Sequence, residues 1–238
     1  MRVLVIGGAG HVGTLVVPAL AAVHEVRVFD LKPPTYSDVA YIQGDIQDYA
    51  ALTEAVAGAD ALLYMAMNQF RLGHPGDEHS AFDVNVKGVH LALLAAHEAG
   101  VKHAVYTSSM SVYQGNLEER DFVDEDMPPD SRVLYGFTKR LGEEVCRNAA
   151  RNWHMSINAL RLCLPTADEK WLAETQPGKA TIATTATDVS RALLAALEFQ
   201  GAGFQAFMIS GDYEEKFMRL GKAKRLLHWE PLARPHSD

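Results

Sequence analysis

The apolar run Val3-Leu4-Val5-Ile6 leads directly into Gly7-Gly8-Ala9-Gly10-His11-Val12-Gly13, and apolar residues at helical spacing continue from there to Ala22. A short run of branched apolar residues reads as a strand buried on both faces, the glycines as a tight turn, and the residues after them as a helix packed back on that strand. Such a beginning commits the chain to a parallel sheet with helical crossovers. The turn satisfies G-x-x-G-x-x-G through Gly7, Gly10 and Gly13, and G-x-G-x-x-G through Gly8, Gly10 and Gly13; the first register is preferred here. Between a strand and a helix, glycines let the backbone approach a pyrophosphate, which the first helical amides and the helix dipole then stabilise. The alternative is a purely structural turn.

The rest of the chain keeps the alternation. Val26-Arg27-Val28-Phe29 predicts a second strand, Tyr41-Ile42 a third and Ala61 to Met65 a fourth, with helical residues 48–57 before the last. A helix from Phe82 to Ala99, the strand Ala104 to Tyr106, a loop through Pro128-Pro129, a helix from Tyr135 toward Ala150 and a strand Ile157 to Leu160 come next. Beyond Pro165 the pattern is irregular, and Thr166–Thr187 reads as a linker. Helical spacing resumes at Asp188 to Leu197, then the strand Ala206 to Ile209 and a short helix Lys222 to Leu227. The fold expected is α/β: a Rossmann-type doubly wound parallel sheet with a small, reduced C-terminal substrate-covering part. Residues 1–165 form the dinucleotide-binding domain in this reading, and 166–238 the covering part, interleaved with the last helix and strand of the sheet domain.

Composition removes several function classes. At 238 residues, 48% hydrophobic and 22% charged, the chain can bury one substantial core. A net charge of -8 repels phosphate backbones and anionic membranes, and no basic run offsets it, so neither nucleic acid nor membrane is expected as a partner. Cys146 and Cys163 lack metal-ligand spacing and read as reduced core or helix residues; His74 and His79 lie in a polar loop without a third ligand, so no metal is expected. A charged residue and a strand directly after Met1, with no run of membrane-spanning length, give a cytoplasmic expectation.

Tyr135 and Lys139, four residues apart, project from one helix face, which brings an ammonium toward a phenol. A phenol ordinarily titrates near ~10, and a neighbouring positive charge moves it toward the range of a general acid/base at neutral pH. Ser108 and Ser109 precede this helix, and either offers a hydroxyl to a substrate oxygen. Asp30 ends the second strand, where a carboxylate accepts bonds from ribose hydroxyls and repels a 2′-phosphate, which favours NAD over NADP; an ordinary strand cap is the alternative, and Lys32 is close enough in sequence to blunt the repulsion.

The glycine turn, Gly44-Asp45-Ile46, Leu63-Tyr64-Met65-Ala66-Met67, Asn85-Val86-Lys87-Gly88, Thr107-Ser108-Ser109-Met110-Ser111-Val112-Tyr113 and Tyr135–Lys139, in this order, resemble the extended short-chain dehydrogenase/reductase family, also called the NAD-dependent epimerase/dehydratase family. The resemblance covers residues 1–165 strongly and the remainder weakly. It implies NAD as cofactor, held by Gly7, Gly10, His11, Val12, Gly13, Asp30, Asp45 and Ile46 (these two at the adenine), Met65, Ala66, Met67, Asn85, Thr107, Tyr135, Lys139 and Leu162. It implies that Ser109 shares a substrate oxygen with Tyr135, with Met110 and Ser111 beside it, and that Lys139 bonds the nicotinamide ribose and lowers the phenol's pKa. Pairing of the helices 82–99 and 135–150 across a two-fold axis, as in the family, implies a homodimer.

Two departures narrow the reaction. Dehydratases of the family carry an acidic residue beside the serine, where this chain has Met110 and Ser111, and Leu164 stands where nucleotide-sugar enzymes often carry an asparagine. Only about twenty residues separate Pro165 from the helix at Asp188, which leaves space for a small substrate. The chain resembles compact members such as uronate dehydrogenases, although these commonly carry a histidine where Ser111 stands. The expectation is NAD-dependent oxidation of a hydroxyl or hemiacetal of a small sugar, sugar acid or polyol. An NAD-dependent sugar or nucleotide-sugar epimerase and a non-catalytic NAD-sensing protein are the alternatives. Gln69, Arg71, Arg161, Lys170 and Arg219 are candidate carboxylate binders, or else solvated surface charges.

Overall fold

The computed structural model describes residues 1–68, 77–122, 124–176 and 179–235. The first half runs β1 (Arg2–Ile6), α1 (His11–Ala21), β2 (Glu25–Asp30), β3 (Ala40–Gln43), α2 (Tyr49–Val56) and β4 (Ala61–Tyr64). Then come α3 (Asp77–Phe82), a π-helical turn (Asp83–Gly88), α4 (Val89–Glu98), β5 (His103–Ser109), α5 (Leu134–Trp153) and β6 (Ser156–Leu162). The C-terminal part adds β7 (Pro165–Thr166), α6 (Asp168–Glu174), β8 (Thr184–Thr185), α7 (Ala186–Glu198), β9 (Phe204–Ile209) and a second π-helical turn (Ala223–Leu227).

Seven strands of the described residues form one parallel sheet in the order β3-β2-β1-β4-β5-β6-β9. The chain leaves β1 in one direction and returns to β4 on its other side. That reversal opens a crevice at the C-terminal ends of β1 and β4, the place where doubly wound sheets take their ligands. β4 and β5 are buried at every position, as strands covered on both faces must be. One core packs α1 and α7 on the sheet through residues such as Val16, Leu20, Val189 and Leu193; the other packs α2, α4 and α5 through Leu52, Leu93 and Cys146. Both cysteines are free and buried.

Two expectations are corrected. The helix expected from Phe82 continues N-terminally to Asp77 and is interrupted by the π-helical turn, because an i→i+5 turn inserts a residue that apolar spacing cannot reveal. The linker expected over Thr166–Thr187 is a folded excursion: β7 pairs in parallel with β8, and α6 between them buries Trp171, whose indole donates 2.8 Å to the Ala183 carbonyl. The C-terminal segment is fastened by buried Asp188 in α7. Its carboxylate accepts the amides of Leu232 and Ala233, and its carbonyl accepts the Trp229 indole at 2.9 Å. No helix among the described residues is long and apolar enough to cross a membrane.

Candidate active site

The glycine turn sits at the crevice between β1 and β4. Gly7 adopts φ +84°, and a Cβ there would lie 2.4 Å from the Ala66 amide nitrogen; a Cβ on Gly13 would lie 2.0 Å from the Gly8 carbonyl oxygen. Both are closed to any side chain. A Cβ on Gly10 meets only the Gly7 carbonyl oxygen, at 3.2 Å, so this glycine faces open space at the start of α1. The turn therefore has two glycines for its own geometry and one that leaves the helix N-terminus approachable, the arrangement a pyrophosphate cradle needs. At its side the Asp30 carboxylate, at the end of β2, accepts the Ala9 amide at 2.9 Å, and the Tyr36 hydroxyl donates to the Gly8 carbonyl at 2.8 Å. His11 and Val12 open α1, with the His11 ring 3.4 Å from the Pro165 carbonyl.

Around this cradle the other expected residues take varied positions. Asp45 is exposed and accepts the Gln47 amide at 2.9 Å, while Ile46 is buried in the α2–α4 core. After β4, Met65 is buried, Ala66 partly covered and Met67 44% exposed. Asn85 is turned inward by the π-helical segment. Its amide donates to the Thr138 hydroxyl at 3.0 Å and to Asn68 at 3.3 Å, and its buried side-chain oxygen has no hydrogen-bond partner among the described residues. A buried acceptor left open beside the crevice suits a site that takes up a further polar group.

Ser109 ends β5 and Tyr135 lies in the first turn of α5. Gly136 allows their approach, since a Cβ there would sit 1.9 Å from the Ser111 carbonyl oxygen. The Tyr135 phenol is raised above its ordinary value by burial, and the neighbouring Ser109 hydroxyl only partly opposes that rise. The two serines part company here. The Ser108 hydroxyl turns inward and donates 2.6 Å to Glu143, while the Ser109 oxygen also accepts the Ser111 amide at 3.1 Å. Met110 is 1% exposed and packs in the core, so only its backbone is available to a substrate; Ser111 is half-buried, and Leu162 ends β6 in register with Ser109.

Lys139 differs from expectation. Its ammonium is buried, donates 2.8 Å to the Thr107 carbonyl and lies 4.9 Å from the centre of the Tyr106 ring. Burial lowers its pKa from 10.5 to about 8. The expected lowering of the Tyr135 phenol is thus not found: burial raises it, the Ser109 hydroxyl only partly offsets the rise, and Lys139 lies one turn further along α5, against β5.

Among the carboxylate-binding candidates, Arg161 is overturned: it is 0% exposed and forms a double hydrogen bond to Glu143 at 2.9 and 2.8 Å. Lys170 lies on the surface 3.7 Å from Glu174, and Arg219 donates to the Glu215 carbonyl. Gln69, Arg71 and His74 lie outside the described residues. Asn68, Thr138 and Glu143 were not singled out from sequence; Glu143, a further helical step of four beyond Lys139, carried the one usable signal. No group of three or more His, Cys, Asp or Glu among the described residues is arranged to hold a metal.

Residues 4–164 match the 3-beta hydroxysteroid dehydrogenase/isomerase family. Over 147 residues the chain is 34% identical to N-acetyl-alpha-D-glucosaminyl-diphospho-ditrans,octacis-undecaprenol 4-epimerase of Escherichia coli O157:H7, covering 61% of this chain and 43% of that protein. Over 152 residues it is 40% identical to 3 beta-hydroxysteroid dehydrogenase/Delta 5-->4-isomerase of Mycobacterium tuberculosis, covering 60% and 41%. The chain thus spans less than half the length of these curated relatives. Among solved structures, a mutated uronate dehydrogenase superposes with a TM-score of 0.83 at 20% identity, covering 98% of this chain and 82% of that one. UDP-glucuronic acid 4-epimerase from Bacillus cereus in complex with NAD gives 0.79 at 22%, covering 98% and 94%. At such identities the likeness is one of fold.

Proposed function

Because the chain belongs to the 3-beta hydroxysteroid dehydrogenase/isomerase family, among the extended short-chain dehydrogenases/reductases, we propose that it is an NAD-dependent oxidoreductase that oxidises a hydroxyl or hemiacetal of a small sugar, sugar acid or polyol. The observation that carries this reading is the Ser109 hydroxyl acting on the Tyr135 phenol at the C-terminal end of β5, with the Lys139 ammonium one turn further along α5 on the Thr107 carbonyl. Ser109 binds the substrate oxygen, and Tyr135, as general base, takes the hydroxyl proton as the carbon is oxidised. Lys139, one helical turn beyond Tyr135 with its ammonium on the Thr107 carbonyl, would hold the nicotinamide ribose.

Bound NAD would supply the acceptor for the hydride. Gly7, Gly10, His11, Val12 and Gly13 would hold its pyrophosphate, Asp30 a ribose, Asp45 and Ile46 the adenine, and Met65–Met67, Asn85, Thr107 and Leu162 the nicotinamide half. Asp30 favours NAD over NADP, because its carboxylate stands at the end of β2, where a 2′-phosphate would be repelled. The small substrate is inferred from the short path between Pro165 and α7, most of it spent on β7, α6 and β8. A homodimer is part of the proposal: Phe82, 40% exposed, stacks edge-on with Phe137 of α5 and leaves apolar surface on the two helices.

The test is absorbance of reduced nicotinamide while purified protein and NAD meet free aldoses, uronic acids, polyols, nucleotide sugars and a 3β-hydroxysteroid, with NADP as control. Net reduction by a free sugar, sugar acid or polyol is expected. Reduction by the steroid alone would keep the chemistry and overturn the substrate class, and no reduction with NAD bound would overturn the dehydrogenase reading.

A further inference from the structure

Glu143 is 1% exposed, and its carboxylate takes contacts from β5 and β6 and lies 3.8 Å from Arg147 of its own helix. It belongs to α5, one turn beyond Lys139. From β5 it accepts the Ser108 hydroxyl at 2.6 Å, and from β6 it accepts Arg161 Nε at 2.9 Å and Nη2 at 2.8 Å. Arg161, paired with Ser108 in the β5–β6 register, carries the connection onward by donating to the Tyr113 hydroxyl at 2.6 Å and to the Glu125 carbonyl at 3.0 Å. Ser108 adjoins Ser109 in the chain, and Glu143 lies four residues from Lys139.

We propose that Glu143 is a positioning residue for this site: its carboxylate clamps the strand bearing Ser109 to the helix bearing Tyr135 and Lys139, and it is the counter-charge that keeps Lys139 ionised. The proposal rests on the reading of Ser109, Tyr135 and Lys139 given above.

The charges around Lys139 leave Glu143 this second task. Among the described residues Lys139 forms no ion pair; its direct partners are the Thr107 carbonyl and the Tyr106 ring, both uncharged. The ionisable groups on the strands beside it are Tyr64 of β4, Tyr106 and His103 of β5, the last kept neutral by burial, and Arg161 of β6; its own helix adds Tyr135, Glu143 and Cys146, and the less buried Arg140, Glu144, Arg147 and Arg151. The adjoining π-helical turn presents uncharged Asn85, with Asp83 half-buried and Lys87 at the surface, bonded to Gln47. Burial pushes Tyr64, Tyr106, Tyr135 and the Cys146 thiol up, so all four are neutral where Lys139 titrates. Cys146 lies close enough to act on Lys139 if ionised, but a neutral thiol is no counter-ion. Glu143 and Arg161 are the buried charges left, and only Glu143 is negative. Arg161 in turn requires Glu143, because a buried guanidinium without its partner is costly.

The experiment follows Lys139 by NMR titration of isotope-labelled lysine side chains in the full-length, cofactor-free protein, and needs no substrate. In Glu143→Gln, which keeps the shape and an acceptor for Ser108, the Lys139 midpoint is expected to fall by about one to two pH units. In Cys146→Ala, a small change inside α5 that tests the rival counter-charge even if the glutamine variant does not fold, the midpoint is expected to stay where it is. An unmoved midpoint in Glu143→Gln, or a fall in Cys146→Ala, would overturn the proposal. Turnover retained in Tyr135→Phe would instead overturn the functional reading, and the two failures are told apart because the titration does not depend on activity.

Discussion

Replacing Lys139 by methionine keeps the length of the side chain and removes a buried charge, and the structure states what that is worth. Burial lowers the folded-state pKa of Lys139 from 10.5 to about 8. Between those values the unfolded chain holds more protons than the folded one, so the contribution of Lys139 to wild-type stability rises as pH rises through that window. At pH 7 the folded protein carries a penalty of roughly 3 kcal/mol for holding the charge, and at pH 10 less than about 1 kcal/mol. Loss of the hydrogen bond to Thr107 offsets about 1 to 2 kcal/mol of the gain at each pH. Lys139→Met is therefore expected to be more stable than wild type at pH 7, and to lose roughly 2 to 3 kcal/mol of its relative stability by pH 10. Urea unfolding of both cofactor-free proteins at the two pH values measures the difference. A stability difference that stays constant with pH would refute the assignment of Lys139 as a buried, ionised group.

The glycine turn separates folding from binding. Gly13→Ala places a Cβ against the Gly8 carbonyl oxygen and is expected to destabilise the protein by about 1–3 kcal/mol, whereas Gly10→Ala is expected to melt near wild type and to weaken NAD binding at least ~10-fold; equal melting temperatures for the two variants would contradict this division. Asp30→Ala is expected to weaken NAD binding and relax discrimination against NADP, and an unchanged ratio of the two dissociation constants would remove the role of Asp30. Light scattering at micromolar concentration is expected to give twice the 26.1 kDa of one chain; the mass of a monomer would reject the homodimer.

What was legible in the sequence was what local chemistry dictates. Val3 to Ile6 and the glycines after it read correctly as strand and turn because a buried strand and a closed backbone each restrict residue type. Tyr135 and Lys139 were placed on one helix by spacing alone, yet spacing says nothing of where an ammonium goes once buried, and Lys139 went to the Thr107 carbonyl. Arg161 looked like a solvent-facing cation available to a substrate, because only the β5–β6 register and the arrival of α5 above it bring Glu143 to its guanidinium. Ser108 and Ser109 could not be told apart by sequence, since adjacent residues of a strand point to opposite faces and the faces are assigned by packing. The stretch after Pro165 read as a linker because two-residue strands carry no periodicity, although Trp171 in its middle was an apolar residue in need of burial.

The most direct test of the account is the paired measurement of NAD binding and turnover in Tyr135→Phe, on one preparation, with the substrate that reduces NAD in the panel. The account predicts NAD affinity within about threefold of wild type and turnover lower by at least ~10², as expected for loss of a general base. Turnover near the wild-type rate would contradict it.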